Sequence, residues 1–317
     1  MDISTFDRCR ILVVGDLMID EYVWGRVERI SPEAPVQIVE VEREDFTLGG
    51  AGNVVNNLIS LGAQVSVAGV IGTRRDGDRM LEMFGRLNAD TGGVIREEQR
   101  PTTRKTRIIA ANQHVLRIDR ETRREISGST FESLNRFTEA CIPRSDAVLI
   151  SDYGKGLMTR PFLKHVISLA AGHGKICIAD PKGLDFTKYS GVSLCTPNQK
   201  EAGLAAGMDI REKGDLIPAG RKLLESTGIQ NLLITCGKDG MILFEGAAEA
   251  HVIRAAARQV FDVSGAGDTV VSVFGLAAAS GFSFREAAAL ANTAAGIVVG
   301  KVGTATVSRS ELLAALQ

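Results

Sequence analysis

The segment Phe261–Val270 (FDVSGAGDTV) joins an aspartate, two glycines and the start of a long apolar helix. Gly265, Ala266 and Gly267 allow a tight turn and leave backbone amides unpaired at the helix start. Such amides, together with the helix dipole, form an anion-binding site. Asp268 would repel an anion bound there. Its position is explained if it acts as a base that takes a proton from a hydroxyl group during phosphoryl transfer. An acid-capped helix without chemistry also explains the segment when it is considered alone.

The strands and helices of the rest of the chain must position this segment. Along the chain, apolar runs alternate with segments of helical period. The runs carry few polar residues, which is typical of parallel strands that are covered on both faces. The predicted strands are Ile11–Gly15, Val65–Val70, Val148–Ser151, Ile176–Asp180 and Leu232–Thr235, and the predicted helices are Gly52–Leu61, Asp76–Asn88, Arg160–Ala171, Leu216–Ser226 and Ala266–Ala279. Strands that alternate with helices predict an α/β fold, with right-handed βαβ units in a doubly wound, mostly parallel sheet flanked by helices.

Two segments depart from this alternation. In Val36–Val41 and in parts of Lys105–Asp119, apolar and polar residues alternate with period two, which is typical of strands buried on one face. We expect these strands, from about residues 20–46 and 93–119, to form a small sheet that projects from a single domain spanning 1–317. The sheet could serve as a lid over a substrate, as the contact of a homodimer, or as both, because its exposed edges need a cover.

The composition is typical of a soluble globular protein, with 44% hydrophobic and 24% charged residues. The formal net charge of −1 and the aromatic content of 5% disfavour a nucleic-acid-binding surface. The start MDISTFDRCR lacks a basic region followed by an apolar stretch, and the apolar runs are too short to span a bilayer, so neither a secretory signal nor a membrane segment is expected. Five scattered cysteines without a Cys-x-x-Cys pair favour the reducing cytoplasm.

Five motifs, in their order along the chain, resemble those of the ribokinase-like (PfkB) family of carbohydrate kinases, and the resemblance covers nearly the whole sequence. The motifs are Gly15-Asp16 with Asp20, Gly49-Gly50-Ala51-Gly52-Asn53, Asn198 and Glu201 in Thr196–Glu201, Thr235–Gly240, and Phe261–Thr269. The resemblance implies a ribokinase-like fold, ATP as the phosphoryl donor and Mg²⁺ as its companion ion.

Residue roles follow from the resemblance, position by position. It implies that Asp268 is the catalytic base and that Gly265, Ala266 and Gly267 form the anion hole. The substrate side comprises Asp16, Asp20, Gly49, Gly50 and Asn53. The ATP side comprises Asn198, Glu201, Thr235, Gly237, Lys238 and Gly240, of which Asn198 and Glu201 organise Mg²⁺ through water. Asn292 could touch adenine or ribose, or lie at the surface, and Asp262 with the backbone near Gly303 could hold K⁺ beside the anion hole.

Three further segments resemble one branch of the family, which phosphorylates the anomeric (C1) hydroxyl of D-glycero-β-D-manno-heptose 7-phosphate. They are Arg29–Val36, Ser151–Gly156 and Asp180–Gly183. The resemblance implies a 1,7-bisphosphate and ADP as products, in ADP-heptose and lipopolysaccharide core synthesis.

A substrate that carries its own phosphate needs cations near the sugar pocket. Arg100–Arg107 is the densest basic stretch and adjoins the expected lid strands. We assign Arg104 and Lys105 to the phosphate, because arginine offers paired donors and lysine a point charge, and leave the two end arginines unassigned. Asp152 and Lys155 complete the predicted substrate set. Basic residues that only protect an edge strand from aggregation, and a solvated loop lysine, are the alternatives.

Two other functions fit the same motifs. Another sugar or nucleoside kinase of the family would prefer an unphosphorylated substrate, and a non-catalytic sugar or nucleotide sensor would release no ADP. Some heptose kinases are joined to a nucleotidyltransferase that needs a His-x-x-His or His-x-Gly-His loop. The sequence has no such loop, and its last helix begins with a capping box at Ser308 and Glu311, so a stand-alone kinase is expected.

Overall fold

The computed structural model of the chain describes residues 2–111, 113–247, 249–256, 260–301 and 303–316. Its strands are β1 (Arg10–Gly15), β2 (Leu17–Ile30), β3 (Gln37–Gly50), β4 (Gln64–Gly72), β5 (Asp90–Glu97), β6 (Thr103–Ala110), β7 (Gln113–Arg120), β8 (Ala147–Ser151), β9 (Ile176–Asp180), β10 (Leu194–Cys195), β11 (Asn231–Thr235), β12 (Met241–Glu245) and β13 (Glu249–Ile253). Its α-helices are α1 (Ala51–Ser60), α2 (Arg75–Arg86), α3 (Gly128–Cys141), α4 (Arg160–Gly172), α5 (Gln199–Ala206), α6 (Leu216–Thr227), α7 (Ala266–Ala279), α8 (Phe284–Val298) and α9 (Arg309–Ala315). None of the described helices is both long enough and apolar enough to cross a membrane.

The main sheet has nine strands within the described residues, in the order β13-β12-β11-β10-β9-β8-β1-β4-β5. From β11 to β5 the neighbours pair in parallel, while β12 and β13 add an antiparallel edge. Every strand that the apolar runs predicted belongs to this sheet, and the last predicted helix, Ala266–Ala279, has the bounds of α7. The doubly wound, mostly parallel sheet is thus confirmed.

Two apolar cores cover the two faces of the main sheet. Successive side chains of β1 point to opposite faces, so that Val13 joins the core with α1, α7 and α8, whereas Leu12 and Val14 join the core with α3, α4 and α6. All residues of β8 are buried, which explains its unbroken apolar sequence. Because both faces are covered, polar groups can meet a ligand only at the edges where the strands end.

The carboxyl ends of β1, β8 and β9 lie side by side, because Gly15 pairs with Ser151 and Ser151 pairs with Asp180. Asp16 follows β1 and Asp152 follows β8, so the chain places acidic side chains at this edge. Helix α7 contacts β8 and β9 and supplies a further acid, Asp268, in its first turn. Ligands of open α/β sheets bind at this carboxyl edge.

A second sheet, which we call the lid, has the order β3-β2-β6-β7. Strand β2 pairs antiparallel with β3 and parallel with β6, and β6 pairs antiparallel with β7. The period-two pattern predicted this sheet, but β3 runs well past Val41 to Gly50, where α1 begins. The predicted lower bound of 93 is wrong, because residues 93–97 pair with β4 at the edge of the main sheet and the second lid segment begins at Thr103.

Candidate active site

Asp268 lies in the first turn of α7 and is almost fully buried. Each of its carboxylate oxygens accepts one hydrogen bond: Asn53 Nδ2 donates to Oδ2 at 2.8 Å, and the Tyr153 hydroxyl donates to Oδ1 at 2.7 Å. Burial raises the pKa of Asp268 to about 6, and the two hydrogen bonds limit the rise because they favour the ionised form. Such a carboxylate is ionised at neutral pH and still basic enough to accept a proton from a hydroxyl.

Asn53 joins α1 to α7 in the fully buried interior. Its Nδ2 donates a hydrogen bond to Asp268, and its Oδ1 accepts a hydrogen bond from Asn57 Nδ2 at 3.3 Å. The Thr269 hydroxyl in turn donates to Asn57 Oδ1 at 3.1 Å. Asn53 therefore contacts the predicted base, and its predicted contact with a substrate stays a prediction.

Gly265 begins α7 in the left-handed region, with φ of 78°. A Cβ atom there would lie 2.6 Å from Asn53 Nδ2, so both the conformation and the space require glycine. Within the described residues, the amides of Gly265 and Gly267 have no hydrogen-bond acceptor, whereas the amide of Ala266 donates to the carbonyl of Val263 at 3.2 Å. Of the three amides in the predicted anion hole, those of Gly265 and Gly267 are thus open to a ligand among the described residues, whereas that of Ala266 closes the turn; the anion hole itself stays a prediction.

A cavity of about 410 Å³ lies against this helix start. Its lining includes all but two of the residues that we assigned to ATP: Thr235, Gly237, Lys238, Gly240 and Asn292. The opposite wall is apolar and includes Val260 and Val263, of which Val263 is 69% exposed. Apolar walls with a few polar groups suit a planar base, and the amide of Gly267 at one end suits its phosphates. Their assignment to ATP stays a prediction.

The remaining residues of the ATP set, Asn198 and Glu201, form a capping box at the start of α5. Asn198 Oδ1 accepts from the Glu201 amide at 2.9 Å, and Glu201 Oε2 accepts from the Asn198 amide at 3.1 Å. Lys182 Nζ donates to the other oxygen of Glu201 at 2.6 Å. The Asn-x-x-Glu spacing therefore has a structural purpose in α5, and contact with a metal would use the lone pairs that these bonds leave.

Asp180, at the end of β9, has no predicted role but belongs to the same region. Burial, and then the charge of Asp268, raise the pKa of Asp180 to about 8. Thr196 Oγ1 donates to its Oδ1 at 2.9 Å, and the charge of Glu201 also acts on it. Asp180 and Glu201 supply the carboxylate oxygens that Mg²⁺ prefers, so this pair could hold the ion of a metal–nucleotide complex.

The predicted sugar-binding acids lie where β1 passes into β2, with Asp16 between the two strands and Asp20 near the start of β2. Asp16 Oδ2 accepts hydrogen bonds from the amides of Tyr153 at 2.8 Å and Lys155 at 3.1 Å. Burial, and then the charge of Asp152, raise the pKa of Asp16 to about 6. Asp20 forms an ion pair with Arg107 at 2.5 Å. The charge of Asp20 also raises the pKa of Asp268, which places the two acids in one site.

The two predicted glycines, Gly49 and Gly50, give the lid a close approach to these acids. Gly50 has a φ of 55° and lies beside the backbone of Asp16. A Cβ atom on Gly49 would overlap a carboxylate oxygen of Asp20. Both glycines therefore shape the sugar side through the backbone, as a di-glycine loop requires.

The two faces of β6 separate the basic residues that the sequence places together. Arg104 pairs with Glu21 at 3.4 Å and with Asp76 at 3.1 Å. Because side chains alternate along a strand, Arg104 lies on the lid face opposite Lys105 and Arg107. The geometry therefore gives no support to Arg104 as a partner of Lys105 on a substrate phosphate, and Arg107 is the arginine on the face of Lys105, where it pairs with Asp20.

Lys105 lies on the site face of the lid and Lys155 in the loop after β8, and both meet the carboxylate of Glu121. Lys155 Nζ lies 2.6 Å and Lys105 Nζ lies 3.5 Å from Glu121 Oε2, and Lys105 also pairs with Asp119 at 3.2 Å. The side chains of both lysines are mostly buried. The ammonium groups of Lys105 and Lys155, which are 50 residues apart in the sequence, therefore lie beside the same carboxylate.

Asp152, another predicted substrate residue, has only protein partners in the described structure. Lys188 Nζ donates to its Oδ2 at 2.5 Å, and the Tyr189 hydroxyl donates to the same oxygen at 2.6 Å. Its Oδ1 accepts from the amide of Gly154 at 2.7 Å. These bonds fold the loop after β8, and the role of Asp152 on a substrate stays a prediction.

Asp262 joins the loop before α7 to the loop after α8. Its carboxylate accepts hydrogen bonds from the amides of Ser264 at 2.9 Å and Gly303 at 3.0 Å. Burial raises the pKa of Asp262, but these bonds outweigh burial and leave the pKa below its usual value. The carboxylate is therefore charged and held beside the anion hole, as a site for K⁺ would require, although both its oxygens already have protein donors.

Sequence reasoning missed three residues of the site: Tyr153, Asp180 and Arg107. Tyr153 and Asp180 lie in segments that carried the resemblance to one branch of the family. The spacing of these motifs along the sequence does not show that Tyr153 contacts Asp268. Arg107 belongs to the basic stretch Arg100–Arg107 but had no assigned role. Period-two alternation from Lys105 would have placed Arg107 on the same face.

The fold is similar to that of solved kinases that act on small molecules. The structure matches a ribokinase of Arabidopsis thaliana solved with ribose and ATP (TM-score 0.77, 20% identity, 98% of this chain and 99% of that chain). It also matches phosphofructokinase-2 of Escherichia coli solved with potassium (TM-score 0.80, 18% identity, 96% and 97%). The family model described as pfkB family carbohydrate kinase matches residues 9–311, and the chain belongs to this family.

Curated relatives match with much higher identity. A bifunctional protein HldE of Desulfatibacillum aliphaticivorans is 56% identical over 316 residues, which is 100% of this chain and 65% of that protein. A protein of the same name in Geobacter metallireducens is 50% identical over 305 residues, 96% of this chain and 62% of that protein. The chain thus spans slightly less than two thirds of the length of these relatives, and the expectation of a stand-alone kinase stays a prediction.

Proposed function

We propose that the chain is an ATP-dependent kinase that phosphorylates the anomeric hydroxyl of D-glycero-β-D-manno-heptose 7-phosphate, in ADP-heptose and lipopolysaccharide core synthesis. The observation that carries the proposal is Asp268, a buried acid in the first turn of α7 that bonds to Asn53 and Tyr153 and directly follows Gly267 in the wall of the 410 Å³ cavity. The similarity to the HldE proteins supports the choice of heptose within the family.

The reaction transfers one phosphoryl group and one proton. The C1 oxygen of the sugar attacks the γ-phosphorus of ATP, and the bond between that phosphorus and the β,γ-bridging oxygen breaks, so ADP leaves with the electron pair. Asp268 takes the hydroxyl proton and later releases it to solvent. The amides of Gly265 and Gly267 stabilise the negative charge on the transferred group.

Charge near the nucleotide phosphates also needs a companion ion. Mg²⁺ would be held by Asp180 and Glu201, directly or through water, and would neutralise charge on the β- and γ-phosphates. Two acids, Asp180 and Glu201, lie here, and Lys182 is the cation that pairs with Glu201. This excess of negative charge suits a divalent cation. With Mg²⁺ bound at Glu201, Lys182 would lose its partner and could pair with the phosphates instead.

The phosphate at C7 is assigned to Lys105 and Lys155. Their ammonium groups already converge on one anionic group, the carboxylate of Glu121, so the lid and the loop after β8 provide a place for an anion. Arg104 is excluded because it lies on the other face of β6. A substrate phosphate that displaces Glu121 would gain two charge-assisted contacts.

The same lid supports a homodimer. Its outer face exposes apolar side chains on its two edge strands, Val41 on β3 at 56% and Leu116 and Ile118 on β7 at 53% and 42% exposure. A second copy would cover this apolar surface and the edges of the lid at the same time. The site face of the lid, with Lys105 and Asp20, would remain turned toward the substrate.

A panel of acceptors with ADP release as the readout tests the proposal. The panel contains heptose 7-phosphate, the same heptose without phosphate, ribose, fructose and a nucleoside. We expect heptose 7-phosphate to give the highest kcat/KM and the product to carry its new phosphate on C1. Preference for an unphosphorylated sugar would assign another member of the kinase family, and no ADP release with any acceptor would assign a sensor.

A further inference from the structure

Tyr153 has no role in the proposed reaction so far, although its hydroxyl touches the base. The residue follows β8, and two acids fix it: Asp16 accepts from its backbone amide at 2.8 Å, and Asp268 accepts from its side chain at 2.7 Å. The next residue, Gly154, has a φ of 67° and bonds to Asp152, which closes the loop. The phenol therefore reaches Asp268 from a loop whose backbone is held at several points.

We infer that Tyr153 is a positioning residue for phosphoryl transfer, whose hydroxyl holds Asp268 ionised and turned so that its free lone pairs meet the sugar hydroxyl. The inference rests on the proposed role of Asp268 as the base. Asn53 and Tyr153 each supply one donor to one carboxylate oxygen. Since each oxygen has two lone pairs, one on each oxygen remains for the substrate.

The direction of this hydrogen bond follows from the state of the phenol. Burial, and then the charge of Asp268, raise the pKa of Tyr153 well above its usual value, so the phenol keeps its proton whenever Asp268 is ionised. The phenol can then only donate its proton to the carboxylate. A donor that favours the ionised carboxylate lowers its pKa, and this opposes the effect of burial.

The titratable groups that face Asp268 come from three elements of the described structure. Asp20 from β2 favours the protonated form of Asp268, whereas Asp180 from β9, with a pKa of about 8, is itself protonated where Asp268 titrates. Tyr153, from the loop after β8, is the titratable group among them that favours the ionised form. Without it, Asn53 would remain as the side-chain donor to a base that is surrounded by acids.

Tyr153→Phe removes the donor and keeps the ring. We expect the acidic limb of kcat/KM for heptose 7-phosphate to move to higher pH by about one unit, since a hydrogen bond to a charged group is typically worth this much. The ratio of wild-type to variant rate should therefore grow as pH falls from 8 to 5.5. A residue with a merely structural role would lower the rate by the same factor at every pH.

Tyr189→Phe is the matched control, because the Tyr189 hydroxyl bonds to Asp152 and not to Asp268. It should leave the acidic limb at the wild-type pH. If Tyr153→Phe does not fold, 3-fluorotyrosine at position 153 keeps the hydroxyl and makes it a stronger donor, so the limb should move to lower pH. An unmoved limb in Tyr153→Phe, or in the protein with 3-fluorotyrosine at position 153, overturns the inference. The proposed base has a separate test, since retained turnover in Asp268→Asn would overturn the role of Asp268 whatever Tyr153 does.

Discussion

Lys105 and Lys155 share one carboxylate, that of Glu121, at distances of 3.5 Å and 2.6 Å from its Oε2. The two lysines come from the lid and from the loop after β8 of the main sheet, so Glu121 connects these two parts of the molecule beside the proposed sugar pocket. A substrate phosphate would offer the same two ammonium groups more charge than a carboxylate does. The relationship predicts that the lid responds to the phosphate of the sugar and not only to its hydroxyls.

The first prediction concerns these lysines. Lys155→Met should raise KM for heptose 7-phosphate by roughly tenfold or more, because a charge-assisted hydrogen bond to the phosphate is lost. It should change kcat/KM for the same heptose without phosphate much less. Initial rates with both sugars measure the difference.

Arg104→Met is the control for the lysine prediction, since Arg104 is a neighbouring cation on the other face of β6. It should not change the ratio of kcat/KM between the phosphorylated and unphosphorylated sugars. Equal losses on both sugars in Lys155→Met, or a changed ratio in Arg104→Met, would contradict the assigned phosphate site.

The second prediction concerns stability and pH at Asp180. The pKa of Asp180 is raised to about 8 in the folded protein, from an ordinary value of 3.8. Between these values the folded state holds a proton that the unfolded state has lost, so this group's contribution to stability decreases as pH rises from about 4 to 8.

Asp180→Asn removes this decrease. We expect the variant to gain thermal stability over wild type as pH rises, by about 1 kcal/mol or more at pH 8.5, because each unit of pKa shift corresponds to about 1.4 kcal/mol. Thermal unfolding at pH 5 and pH 8.5 measures the gain. If the stability difference between variant and wild type is the same at both pH values, the pKa of Asp180 is not raised in the folded protein.

The third prediction concerns the lid as a contact between copies. Leu116 is 53% exposed on the outer face, so Leu116→Lys should weaken a dimer without reaching the site face of β6. Light scattering at micromolar concentration should show a dimer for wild type and a larger monomer fraction for the variant. A monomeric wild-type protein under these conditions would contradict the dimer.

The main sheet was predictable because a parallel strand covered on both faces must be apolar throughout, as in β1 and β8. Strand β5 was not, since the prediction placed residues from 93 in the lid, whereas they pair with β4 and the ring of Phe137 packs against Gly92 and Gly93 in the space of the missing side chains. The lid was visible in the alternation of Val36–Val41, but alternation does not tell where a strand ends.

The site was predictable where one segment carries it, as in the turn into α7. It was not predictable where chemistry depends on residues far apart: Asn53 and Asp268 are 215 positions apart and share a hydrogen bond. Arg104 and Lys105 are adjacent in the sequence but do not act together, because adjacent residues of a strand point to opposite faces. A run of basic residues does not show which of them faces the site.

The most direct test of the proposed mechanism is turnover of Asp268→Asn with ATP and heptose 7-phosphate, alongside its affinity for ATP. The substitution keeps the shape of the side chain but removes the proton acceptor. We expect kcat to fall by about a hundredfold or more, with ATP affinity nearly unchanged, because the nucleotide cavity and the amides of Gly265 and Gly267 remain. Wild-type kcat should itself fall as pH drops through about 6, where Asp268 gains its proton. Near-normal turnover of Asp268→Asn would contradict the account.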